Sequence, residues 1–310
     1  MIEVEHVRKS FNGTQALDDF SLRVKKGELV GLVGPNGAGK TTLIRILSTL
    51  LLPDRGTVSI DGTDVVRNPA SIRRVVGYLA DQSGLYQDMR IRELLEFFAD
   101  AFHLQGTGRN HAIENALVRA GLESRAEDFV EGLSFGMKQR LMLAKTLLHS
   151  PSVLLLDEPA NGLDPIARVH LRDFLKELNS QGLTILISSH ILADLEDICT
   201  QAVLISGGKN VVDDEGNAEI ALRHAGRKSR LFEVELLGGA EKAAAALTTM
   251  PGVQVLEAAA TRLRLSIDGP DDRVADTLRT LVSAGITVTS FARGGSGLEQ
   301  RYRAVFGGNS

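Results

Sequence analysis

The chain has 310 residues, of which 43% are hydrophobic and 24% charged, and its formal net charge is −4. This length suits one large domain or a large and a small one, and the composition is that of a globular protein. The slight acidity provides no global attraction to nucleic acid or to an anionic membrane surface. A single cysteine, Cys199, excludes an intrachain disulfide and a cysteine-built metal site; it reads as a small buried apolar residue late in a helix. Met1 to Gln15 lacks the apolar core of a signal peptide, and no apolar run approaches the ~18 residues of a membrane span. Any membrane part is therefore expected on another chain.

In chain order, Ile2–Val7 and Phe20–Val24 alternate apolar and polar residues as half-buried strands do. Glu28–Val33 is a short apolar strand entering a glycine-rich turn, and Thr41–Leu52 reads as a buried helix. Gly56–Ile60 and Val75–Leu79 are further strands. From about Tyr86 to Ser150 the pattern turns helical. Ile91, Leu94, Leu95, Phe98 and Phe102 share one face, and Ile113, Ala116, Leu117 and Ala120 form a second stripe closed by Gly121. The α/β pattern resumes at Val153–Leu156. Asp164-Pro165 then starts a helix, with an N-cap carboxylate and a first-turn proline, carrying Leu171, Phe174, Leu175 and Leu178 inward. Thr184–Ser188 is a strand, followed by a helix from about His190. Val203–Ile205, Gly207-Gly208 and Asn210–Val212 form a hairpin.

A boundary falls near Gly226–Ser229. Beyond it the order is strand (Phe232–Leu236), helix (Glu241–Met250), two strands (Val253–Glu257, Leu263–Ile267), helix (Asp271–Ala284) and strand (Thr287–Phe291). That β-α-β-β-α-β order predicts a small ferredoxin-like α+β domain. Leu298, Tyr302 and Val305 suit a last docked helix. The expected organisation is an α/β domain at 1–225, with a helical subdomain at about 86–150, and an accessory α+β domain at 229–310.

Two motifs carry chemistry. Gly34-Pro35-Asn36-Gly37-Ala38-Gly39-Lys40-Thr41 fits G-x-x-x-x-G-K-[ST] directly after a strand and at a helix start. The glycines let successive N–H groups face phosphate oxygens, and the helix presents its positive end to the same anion. Lys40 reaches the β- and γ-phosphates, the Thr41 hydroxyl suits Mg²⁺, and Thr42 adds a phosphate contact. The second motif is Val153–Leu156 running into Asp157-Glu158. Ligands gather at the carboxyl ends of parallel strands, so Asp157 suits Mg²⁺ and Glu158 suits polarising the attacking water.

Leu133-Ser134-Phe135-Gly136-Met137-Lys138-Gln139-Arg140, followed by Asp157-Glu158, resembles the signature of the ABC (ATP-binding cassette) family, usually LSGGQ. Asn161-Gly162-Leu163-Asp164 resembles its D-loop, Ser188-Ser189-His190 its switch histidine, and Phe11 falls where the family stacks an aromatic ring on adenine. The resemblance spans about residues 2–225. It implies a P-loop NTPase of ABC type that binds ATP and Mg²⁺ and hydrolyses ATP in a head-to-tail dimer, homomeric or heteromeric. Ser134, Gly136 and the helix after them would then bind the γ-phosphate in trans, Asp164 would serve the D-loop, and His190 would hold the attacking water with Glu158. Three departures stand out. The Q-loop glutamine falls at Asp81, which can ligate Mg²⁺ through oxygen but reaches less far, and Gln82 beside it would take the role if the loop shifts. Phe135 and Met137 replace a glycine and a glutamine. Phe11 replaces a tyrosine.

The segment after the Q-loop, the LSxGMKQR signature and the small C-terminal domain together resemble the ATPase subunits of export systems. This implies a cytoplasmic motor, peripheral on the inner face of the membrane, that drives a separate transmembrane permease subunit, with no nucleic-acid partner. Two other readings are a soluble mechanical ATPase working on ribosomes or DNA, and an ATP-sensing regulatory module. A single P-loop and the absence of a long coiled-coil insertion oppose the first; intact Lys40, Glu158 and His190 oppose the second.

Overall fold

The computed structural model describes residues 1–81, 84–196, 198–212, 219–221 and 229–293, and the chain divides into two compact units, 1–222 and 223–310.

The first unit opens with β1 (Ile2–Phe11) and β2 (Thr14–Val24), an antiparallel hairpin. Both are longer than the alternation predicts. The reason is Asn12-Gly13, both at positive φ, the residue pair that a tight hairpin turn favours. β3 (Leu29–Val33) follows, then α1 (Lys40–Leu47), β4 (Arg55–Ile60), β5 (Thr63–Asp64), α2 (Pro69–Val75) and β6 (Val76–Leu79). α1 ends five residues before the expected Leu52: Thr49 takes φ +64°, and Leu50 and Leu52 are exposed. Next come α3 (Ile91–Ala101), α4 (Gly106–Ala120) and α5 (Phe135–Thr146), the helical insert. Gly121 closes α4 in the left-handed conformation. Ile91, Leu94, Leu95, Ile113, Ala116, Leu117 and Leu141 bury a core of their own. Phe102, expected on the α3 face, lies just beyond that helix and stacks on His149 at 4.2 Å.

β7 (Val153–Asp157), α6 (Pro165–Ser180), β8 (Thr184–Ser189), α7 (Leu192–Glu196), β9 (Gln201–Ser206), β10 (Lys209–Asn210) and β11 (Glu219–Ala221) complete the unit. The helix expected from His190 is thus only the short α7. The main sheet runs β10-β9-β3-β8-β7-β6, with β9, β3, β8, β7 and β6 mutually parallel. Every residue of β3, β7 and β8 is buried, which explains their continuous apolar runs. A second sheet, β2-β1-β4-β5, packs Val4, Phe20, Leu22 and Val58 into the same core as Leu43, Ile44 and Leu155. Cys199 is buried beside Gly31, and burial pushes its thiol well up, away from thiolate character.

The second unit contains β12 (Ser229–Leu236), α8 (Ala240–Leu247), β13 (Val253–Ala259), β14 (Arg262–Asp268), α9 (Asp271–Ser283) and β15 (Val288–Arg293). Its antiparallel sheet is ordered β13-β14-β12-β15, the ferredoxin-like arrangement that the element order predicts. Val234, Leu236, Leu263, Leu265 and Ile267 pack with Ala243, Leu247 and Leu281 of the helices. Alternate residues place Glu235 with Arg262 and Glu257 with Arg264 as cross-strand ion pairs. Leu298, Tyr302 and Val305 lie outside the described residues, as does most of the expected link at Gly226–Ser229.

No helix among the described residues is long and apolar enough to cross a membrane.

Candidate active site

Four neighbouring parallel strands deliver the site. β3 leads into the phosphate loop, β8 into His190, β7 into Glu158, and β6 into Asp81. Register brings Val33 opposite Ser189 and Asp157 opposite Ser188, so the strand ends stand level. This is where an open parallel sheet gathers ligands.

Asn36, Gly37, Ala38, Gly39, Lys40, Thr41, Thr42, Asp81, Glu158, Asn161 and His190, with Ala16, line one cleft of ≈ 570 Å³. The phosphate loop holds its shape by close approach. A side chain at Gly34 would place its first carbon 2.3 Å from the Ile205 carbonyl, and one at Gly39, which sits at φ +111°, 2.4 Å from the Ala16 carbonyl. Gly39 is the N-cap of α1 and offers no side-chain cap, and the first turn carries no acidic residue. The leading amides therefore remain available to an anion.

Lys40 is buried, and its ammonium donates to the carbonyls of Gly34 at 2.7 Å and Pro35 at 3.1 Å. It also stands 3.2 Å from Glu158 Oε1. The other Glu158 oxygen, Oε2, meets His190 Nδ1 at 2.8 Å. Glu158 itself is held at φ +49°, in the left-handed region that a residue with a Cβ rarely adopts, and its N–H donates to Ser188 Oγ at 3.0 Å. Strain of that kind persists only where the surroundings enforce it.

Asp157 is 1% exposed. Its Oδ1 accepts from Ser188 Oγ at 2.8 Å and from Thr41 Oγ1 at 3.1 Å. Oδ2 is buried without a hydrogen-bond partner. Burial raises the carboxyl's pKa above the ordinary value, the two hydroxyls oppose that, and the charges of Glu158 and Asp81 add to the rise. A buried oxygen with no partner, beside a hydroxyl, fits a hard divalent cation. No group of three or more His, Cys, Asp or Glu among the described residues could hold a metal, so a cation here would take most of its shell from water or from ligand oxygens.

Asp81 lies two residues beyond β6, and its Oδ1 accepts from Asn161 Nδ2 at 3.1 Å. Gln82 lies outside the described residues. Phe11 ends β1 with its ring 45% exposed and Lys9 Nζ 5.5 Å from the ring centre; it is not among the cleft residues.

Ser134, Gly136 and Asp164 line a different cleft, of ≈ 400 Å³. Ser134 caps α5, its hydroxyl accepting from Met137 N at 3.4 Å, and Asp164 caps α6 through Ala167 N at 2.9 Å. Phe135 is exposed and its ring lies over Gly162, where an added Cβ would meet ring carbons at 3.3 Å. Met137 packs against the core of the helical insert, with Arg125 Nη1 3.4 Å from its sulfur. The sequence marks Gln139 only as part of the signature string. Its side chain is buried and donates to the Pro159 carbonyl at 2.7 Å, tying the signature helix to the turn after Glu158.

The chain is also similar to known proteins. The ABC transporter family matches residues 17–161. The daunorubicin resistance ATP-binding protein DrrA3 of Streptomyces coeruleorubidus is 33% identical over 291 residues, covering 94% of this chain and 91% of that protein. The ABC transporter ATP-binding protein NatA of Bacillus subtilis is 37% identical over 196 residues, 63% of this chain and 80% of that one. Among solved structures, a dimeric post-hydrolysis state of the ATP-binding cassette MJ0796 with ADP and Pi superimposes with a TM-score of 0.63 at 26% identity, covering 72% of this chain and 99% of that one.

Proposed function

We propose, because the chain belongs to the family of ABC transporter ATP-binding proteins, that its ATPase activity powers a separate transmembrane export subunit. The observation that carries the reading is the convergence of Lys40, Glu158 and His190 on one cleft while Ser134 and Gly136 line another. A single copy thus holds two halves of different sites. Two copies placed head to tail would bring Ser134 and the α5 N-terminus of one to the γ-phosphate held by Gly34–Thr42 of the other.

In that arrangement the α1 amides and Lys40 bind the β- and γ-phosphates. Thr41 and the free Asp157 oxygen would hold Mg²⁺, with Asp81 lining the same cleft. The cation, when bound, neutralises phosphate charge. Glu158 accepts a hydrogen bond from the attacking water and polarises it. His190, hydrogen-bonded to Glu158, orients that carboxylate and faces the γ-phosphate. Phe11 supplies a ring for adenine, and Asp164 belongs to the turn that meets the partner copy. The resemblance of the whole chain to a drug-resistance protein supports export as the direction, and the absence of a long apolar helix among the described residues fits a peripheral subunit.

The test is a tagged Glu158→Gln form purified with ATP from detergent-solubilised membranes of its source. A polytopic membrane protein at equal stoichiometry is expected. Ribosomal or DNA-bound partners, or none, would overturn the transport reading.

A further inference from the structure

Asp81 places a full negative charge where the family has a neutral amide, and the cleft around it is short of compensating cations. Lys40 is the only lysine or arginine among the described residues that line it. Its ammonium is already engaged by two backbone carbonyls and by Glu158. His190 turns one ring nitrogen to the same Glu158. Asp81, Glu158 and, beneath them, Asp157 thus set three carboxylates against one ammonium. Asp81 is also held in place, since the Asn161 amide donates to its Oδ1 at 3.1 Å, and Asn161 N–H in turn bonds to the Glu158 carbonyl at 3.0 Å.

We propose that Asp81 makes nucleotide binding conditional on a divalent cation, by repelling the triphosphate when no metal accompanies it. This rests on the nucleotide-site reading above and deepens it. The α1 amides and Lys40 attract phosphate, but the Asp81 carboxylate, exposed on the same cleft, opposes a tetra-anion by Coulomb repulsion that the solvent only partly screens. A cation between them reverses the sign of that interaction, because the carboxylate then faces a positive ion. Asp81 therefore weakens metal-free ATP and does not weaken the metal complex. Asn161 keeps the carboxylate at the cleft, so the charge is already in place when the ligand arrives.

The experiment is calorimetric titration of the full chain with ATP, once in excess EDTA and once in excess Mg²⁺, reading the ratio of the two dissociation constants. For the native chain the ratio is large. Asp81→Gln, which keeps an oxygen donor and removes the charge, is expected to tighten binding in EDTA about tenfold or more, as one like charge in the same cleft predicts at intermediate dielectric. Its affinity in Mg²⁺ should not rise in parallel, so the ratio collapses. Asp81→Glu restores the charge and should restore the ratio. Asn161→Ala keeps the charge without its tether and should retain a ratio well above that of Asp81→Gln. If Asp81→Gln leaves the ratio at the native value while ATP still binds, the proposal is wrong and the nucleotide site stands. If the native chain binds ATP in neither condition, both fall.

Discussion

Oε2 of Glu158 lies 2.8 Å from Nδ1 of His190, so carboxylate and imidazole act as one hydrogen-bonded unit at the mouth of the phosphate cleft. The other carboxylate oxygen faces Lys40. The histidine thereby fixes which way the carboxylate points, and the lysine pairing continues without it. His190→Ala is expected to lower kcat by about 10²–10⁴-fold, the range for a group that positions or moves a proton, with little change in ATP affinity. Phosphate release and calorimetry separate the two quantities. A parallel loss of binding would assign His190 to ground-state contact instead.

The phosphate loop depends on two glycines in different ways. An alanine at Gly34 drives its Cβ to 2.3 Å from the Ile205 carbonyl, a backbone atom of β9 that cannot move aside alone. Gly37 sits at φ +80° with nothing near a would-be Cβ. Gly34→Ala should therefore abolish measurable ATP binding and cost about 1–3 kcal/mol of stability. Gly37→Ala should cost about 1–2 kcal/mol for its left-handed backbone and leave the cleft walls in place. Denaturant unfolding and ATP titration of both variants check the contrast.

Ser188 serves two neighbours at once, donating to Asp157 Oδ1 and accepting from the N–H of Glu158. It is fully buried. Ser188→Ala leaves a buried carboxylate oxygen short of a donor and the strained Glu158 backbone without its anchor. The expected cost is about 1–3 kcal/mol, which lowers the melting temperature by a few degrees, together with a fall in kcat. Ser188→Thr, which restores the hydroxyl, should recover part of both.

His149 joins the helical insert to the main sheet, stacked on Phe102 and bonded through Nε2 to the Val76 carbonyl at 3.1 Å. Burial holds its pKa below the ordinary histidine value, with the carbonyl partly opposing. The unfolded chain takes up this proton near pH ~6.5, and the folded chain only at lower pH. Stability is thus retained above that value and lost as pH falls below it toward the folded value. Thermal melts across this range should show the native chain losing stability more steeply than His149→Gln. Equal slopes would show that His149 contributes nothing to the acid limb.

Much of the site is a set of local strings. The phosphate loop, the acidic strand end and the signature each declare a strand or helix boundary with chemistry attached, and each falls where the sequence places it. What the strings do not reveal is which strand lies beside which. Ser188 on Asp157, Asn161 on Asp81 and Gln139 on the Pro159 carbonyl all depend on the parallel register of β6, β7 and β8 or on packing between helix and turn. Two local signals could also be misread. Asn12-Gly13 announces the β1–β2 turn, while Leu50, Leu51 and Leu52 continue an apolar pattern although the helix has already ended at Leu47. Propensity gives no warning of that stop, which Thr49 makes by adopting a left-handed backbone.

The separation of Lys40 and Ser134 into two clefts has a genetic consequence. If a working site is assembled from one cleft of each copy, a chain crippled at Lys40 still lends a sound signature to its neighbour. A chain crippled at Ser134 still lends a sound phosphate loop. Each mutant alone yields only dead pairs, yet the mixed pair contains one intact composite site. Two loss-of-function alleles of the same gene should then complement one another in trans, and should fail to do so when both lesions lie on the same chain.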